Sequence, residues 1–105
     1  MQVNIIKSYR EVIAICDTEL IGKKFQQENP SDKEHNLLLD VKESFYKGEE
    51  KTKEETITIM QFHSKEDATF NIAGKESIQT AIEAGIISEK AVGKIQGIPY
   101  ALILC

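Results

Sequence analysis

Apolar positions along this chain recur with two different periods, and each stretch of regular spacing predicts an element. Val3 to Ile6 and Glu11 to Cys16 are β-branched runs separated by the polar Lys7-Ser-Tyr-Arg10. That is the pattern of an antiparallel hairpin, with Tyr9 and Arg10 at its tip. Asp17 follows, placed to cap a single helical turn through Glu19 and Leu20, and Gly22 can close that turn in a left-handed conformation. Alternation resumes later: Leu37, Leu39 and Val41 share one face while Leu38, Asp40 and Lys42 take the other, which predicts a third strand. Thr52 with Glu55 has the form of a capping box and predicts a helix from about Lys53 to His63. The β-branched run Thr56 to Ile59 in the same segment also fits a strand.

The second half of the chain is patterned more sharply. Ala68 to Ile72 reads as a short strand and Gly74 as a turn. Ile78, Ala81, Ile82 and Ile86 then recur at helical spacing, with Gly85 as the stop. Ser88 to Ala91 has the makings of one more turn, and Lys94 to Gly97 with Tyr100 to Leu104 supplies the last one or two strands. Residues 26–36 hold a proline, several turn formers and no apolar anchor, and are expected to form a polar, mobile loop. The order of elements predicts an α+β fold: one small domain spanning 1–105, a mixed and mostly antiparallel sheet, and two main helices packed on one face.

Composition narrows the class. Apolar residues make up 41% and charged residues 29% of 105 residues, enough for one real core and too apolar for a disordered chain. The longest apolar runs, Val12 to Cys16 and Tyr100 to Cys105, fall far short of the roughly 20 residues that cross a bilayer. No signal-peptide pattern opens the chain, so a cytoplasmic protein without membrane contact is expected. Cys16 and Cys105 form no Cys-x-x-Cys pair and have no histidine at zinc spacing, which predicts two free thiols, no metal and no cofactor. The formal charge of −4 means that only a local basic patch, and not the whole surface, can attract nucleic acid.

Beyond these patterns, an ordered series of short motifs runs through the chain. Cys16-Asp17 with Leu20, Gly22, Lys23 and Phe25 comes first, then Phe45-Tyr46 with Gly48, then Asn71 to Gly74, Ala81 to Ile87, and Gly97-Ile-Pro99. In this series the chain resembles, over nearly its whole length, the archaeal family known as domain of unknown function 424. The resemblance implies an archaeal, cytosolic, single-domain protein, with translation components as the associated partner class. Tyr100 stands where the family pattern places a histidine or similar polar residue. A histidine-dependent role is therefore not expected at that position.

Candidate sites follow from chemistry. Asn71, Gly74 and Lys75 open a predicted helix, where free N–H groups and the helix dipole can hold a phosphate or carboxylate; a structural turn is the plainer reading. Gly22-Lys23-Lys24, with Lys7, Tyr9 and Arg10 on a facing hairpin tip, would supply cations for RNA phosphates and a ring for stacking. Asp17 has the placement of a catalytic acid but shows no partner, and Gly85 and Gly97 read as structural turns. No cluster has the composition and spacing of a known catalytic site. The leading expectation is a small non-catalytic module binding RNA or ribosomal components. A protein–protein adaptor using an edge strand or an apolar patch stands second, and an enzyme with an undescribed site third.

Overall fold

The computed structural model describes residues 1–32 and 34–105; Lys33, inside the expected polar loop, lies outside the described residues. Strands β1 (Gln2–Ile6) and β2 (Val12–Cys16) form the expected hairpin, with Val3 opposite Ile15 and Ile5 opposite Ile13. Strand β3 (Lys24–Gln27) pairs antiparallel with β4 (Leu37–Asp40). A one-turn helix α1 (Glu43–Tyr46) leads to the two-residue strand β5 (Glu49–Glu50), and then come helix α2 (Lys53–His63) and strand β6 (Thr69–Ala73). Helix α3 (Lys75–Glu83), strand β7 (Gly93–Ile95) and strand β8 (Ile98–Leu104) complete the fold.

Six strands form one sheet in the order β5-β1-β2-β6-β8-β7, while β3 and β4 make a separate two-stranded sheet. Among the described residues only the central β2–β6 pair is parallel, with Ile13 opposite Phe70 and Ile15 opposite Ile72. The alternation of strand side chains then sorts the core into two layers. Ile13, Ile15, Phe70, Ile72 and Ala101 face α2 and α3, where they pack with Met60, Ile78 and Ala81. Ala14, Cys16 and Ala73 face the other way and are covered by Leu20, Leu39, Val41 and Tyr46.

The two main helices therefore sit on one face, as expected. The strand at Leu37–Asp40, however, belongs to a lid over the opposite face rather than to the main sheet. Pairing Leu39 with Phe25 turns the alternate apolar residues of both strands onto that second layer. The lid also moves one boundary of the polar loop, because Gln26 and Gln27 are strand residues. Residues 53–63 are helical, and both halves of the capping box are made: Glu55 N–H donates to the Thr52 hydroxyl and Thr52 N–H to the Glu55 carboxylate. The cap wins over β propensity because it satisfies donors that a helix start otherwise leaves free.

Candidate functional site

Asp17 does not cap its own turn. It begins the 3-10 turn Thr18–Leu20, yet its side chain makes no bond there. The carboxylate instead crosses to the start of α3 and accepts from Glu76 N–H at 3.1 Å, Ser77 N–H at 2.8 Å and the Ser77 hydroxyl at 2.7 Å. Both Asp17 and Ser77 are buried. Gly74 N–H, two residues before Glu76, is taken by the Pro99 carbonyl at 2.8 Å. The helix N-terminus read from Gly74 and Lys75 as an anion site thus already holds an anion, supplied by the chain itself. Gly74 makes room for it: a Cβ there would lie 2.3 Å from Asp17 Cγ, and its φ of +111° is one that L side chains rarely adopt. Asn71 points to the opposite sheet face, beside Ala14 and Leu102, and takes no part. Lys75 is exposed and lines a shallow groove with Lys94, Ile78, Ile82 and Val92.

The basic patch read from sequence is split by the topology. Tyr9 and Arg10 precede β2, whereas Gly22, Lys23 and Lys24 follow it, so roughly 16 Å of strand separates the two groups. Lys24 sits 4.0 Å from Asp40, and Tyr46, the aromatic of α1, is buried. Arg10 donates to the Cys105 carbonyl at 2.8 Å.

The buried ionisable groups are poor candidates for chemistry. Cys16 is fully buried, and burial, with the nearby Asp17 charge, raises its thiol from 9.0 to about 12. Burial likewise raises Tyr46 from 10.0 to about 12. Both stay protonated at neutral pH, which disqualifies Cys16 as a nucleophile. Glu50 is exposed; its carboxyl is lowered mainly by the Thr18 hydroxyl, helped by the N-terminal ammonium and Gln2. His63 Nδ1 meets Glu11 at 2.5 Å and pins the end of α2 to the hairpin. Among the described residues no group of three His, Cys, Asp or Glu side chains is arranged to hold a metal ion.

What the structure brings together is apolar surface at the hairpin end of the sheet. Of the six large apolar side chains that stay exposed among the described residues, Ile5, Tyr9, Phe62, Leu102 and Leu104 lie from mid-sheet to that end, and Leu38 lies elsewhere. Ile5, Lys7, Tyr9, Phe62 and His63 line a groove of about 680 Å³ there. On the other face Leu104 continues a row through Thr69, Val12 and Ile6. Sequence reading missed Ile5 and Phe62. The available signal was that Phe62 falls off the Thr56–Met60 stripe that α2 buries.

A mixed six-stranded sheet, helices on one face and a two-stranded lid on the other, with its surplus apolar surface at one end, defines a small α+β domain. The family model described as "Protein of unknown function (DUF424)" matches residues 6–105, and the chain belongs to that family. A crystal structure of an uncharacterized conserved protein from the archaeon Methanopyrus kandleri shares the fold, with a TM-score of 0.75 at 20% identity; the alignment covers 98% of this chain and 89% of that one. No curated protein matches the chain. No helix among the described residues is long and apolar enough to cross a membrane.

Proposed function

We propose that this protein is a non-catalytic binding module that holds a protein partner at the hairpin end of its sheet. The observation that carries the reading is the gathering of Ile5, Tyr9, Phe62, Leu102 and Leu104 there, exposed, on a domain whose other large apolar side chains are mostly covered. Clustered exposed apolar side chains mark interaction surfaces, whereas scattered ones need no explanation. RNA is the competing occupant of the same end, since Tyr9 and Phe62 offer rings and Lys7 and Arg10 offer cations. Glu11 and Glu66 line that groove too, and the net charge is −4; both weigh against a polyanion.

The test is affinity capture from a lysate of the source organism, with wild-type protein beside a Phe62→Glu, Leu104→Glu variant, each with and without nuclease. A defined protein set that survives nuclease and is lost from the variant is the expected result. Capture that is unchanged in the variant overturns the proposal. Fluorescence anisotropy with single-stranded RNA across a salt series completes it: tight, salt-sensitive binding lost on Lys7→Ala with Arg10→Ala would transfer the site to RNA. Binding lost on Lys23→Ala with Lys24→Ala would place RNA at the other end of the sheet.

A further inference from the structure

The two edges of the main sheet are finished differently. On one side β5 covers Gln2 and Val3 of β1 with two glutamates, a charged guard of the kind that discourages further pairing, while Asn4 to Ile6 runs on past it. On the other side β7 pairs with β8 only as far as Tyr100, so among the described residues no strand pairs with Ala101 to Leu104 on its outer flank. That stretch, Ala-Leu-Ile-Leu, carries no charge, proline or glycine.

The register says which groups are left over. Gly74 N–H donates to Pro99 and Cys105 N–H to Ala68, which puts the odd-numbered residues of β8 in the hydrogen-bonded positions against β6. The N–H and C=O groups of Leu102 and Leu104 therefore face outward. These are also the two residues of β8 whose side chains are most exposed, at 62% and 72%. Backbone donors, backbone acceptors and apolar side chains all stand free at the same two positions.

We infer that β8 accepts a short extended peptide as an added strand along Ala101 to Leu104, with apolar residues at alternate positions beside Leu102 and Leu104. This rests on the protein-partner reading above and names the form of the partner. The free edge spans about 13 Å. A stable dimer buries about 800 Å² on each partner, far more than four edge residues supply, so the length suits a peptide segment and not a second copy of this chain. Arg10, whose guanidinium makes no ion pair among the described residues, stands beside Cys105 and selects peptides with an acidic residue at that end.

The test uses heptapeptides selected from a random displayed library against the wild-type protein, then synthesised and studied by isothermal titration and amide hydrogen exchange. In the free protein the Leu102 and Leu104 amides should exchange faster than those of Ala101 and Ile103, and peptide should protect the first pair. Leu102→Pro removes an outward N–H without touching the β6 ladder and should weaken binding roughly tenfold. Leu104→Lys serves the same purpose if the proline variant does not fold. Arg10→Gln should weaken acidic peptides selectively. Peptides that bind without protecting Leu102 and Leu104 would overturn strand addition while leaving a protein-binding surface in place. A selection that yields no binder, or self-association that itself protects those amides, would overturn the peptide assignment.

Discussion

Replacing Asp17 by alanine tests the internal cap directly. The carboxylate accepts three hydrogen bonds from Glu76 and Ser77 in a site from which water is excluded. Losing an N-cap costs about 0.5–2 kcal/mol, and a hydrogen bond to a charged group contributes about 1.5–3 kcal/mol. The Ser77 hydroxyl would also be left buried without its partner, at about 1–3 kcal/mol. These contributions overlap, because the same bonds enter more than one of them, so we expect a total loss of about 3–5 kcal/mol. For a domain with about 5–15 kcal/mol in hand this is severe, and it corresponds to a fall in Tm of at least about 12 °C. Urea unfolding followed by circular dichroism measures it, with an unchanged m value showing that the unfolded state is not the cause. Asp17→Asn keeps one carbonyl acceptor without the charge and should lose about half as much. A loss below about 1 kcal/mol in Asp17→Ala would refute the claim that this carboxylate holds the helix.

Two further expectations concern the same region. Gly74→Ala should destabilise by at least about 2 kcal/mol, because the added Cβ meets Asp17 Cγ at 2.3 Å on a backbone with φ +111°. In the Asp17→Ala background the same change should cost less, a non-additivity that a double-mutant cycle reads out. Cys16 should resist alkylation at pH 8 in the native state and react on unfolding. Its thiol and the Tyr46 phenol are both raised by burial, from 9.0 and 10.0 to about 12. The folded protein therefore keeps protons that the unfolded chain releases, so their contribution to stability is full below about pH 9 and lost as the pH climbs toward 12. Urea midpoints that stay flat from pH 8 to 11 would contradict this.

Local signals made much of the fold legible. The hairpin of β1 and β2, the Thr52–Glu55 cap and the spacing of Ile78, Ala81 and Ile82 are each decided by neighbours within a few positions, and all appear where the pattern placed them. The lid escaped notice because alternation in Leu37 to Val41 says only that one face is buried. It does not say against which sheet. The role of Asp17 escaped for a stronger reason: its partners lie about 60 positions away, and a capping residue looks the same in sequence whichever helix start it serves. Lys23 and Tyr9 flank the same strand, and the five residues of β2 carry them to opposite ends of the sheet. The exposed end of the sheet could be read only in part, since Leu102 and Leu104 differ from buried leucines in nothing but what fails to cover them.

The position of β8 bears on how the chain reaches this fold during synthesis. β6 stands between β2, made early, and β8, the last strand in chain order. As the polypeptide leaves the ribosome, β6 can dock beside β2 while its far flank stays bare, and β7 emerges before the strand it must pair with. The sheet closes only once β8 arrives between two elements already waiting for it. Until then the nascent chain exposes an unpaired central strand bearing Phe70 and Ile72, which makes this interval the one in which chaperone contact or misassociation matters most.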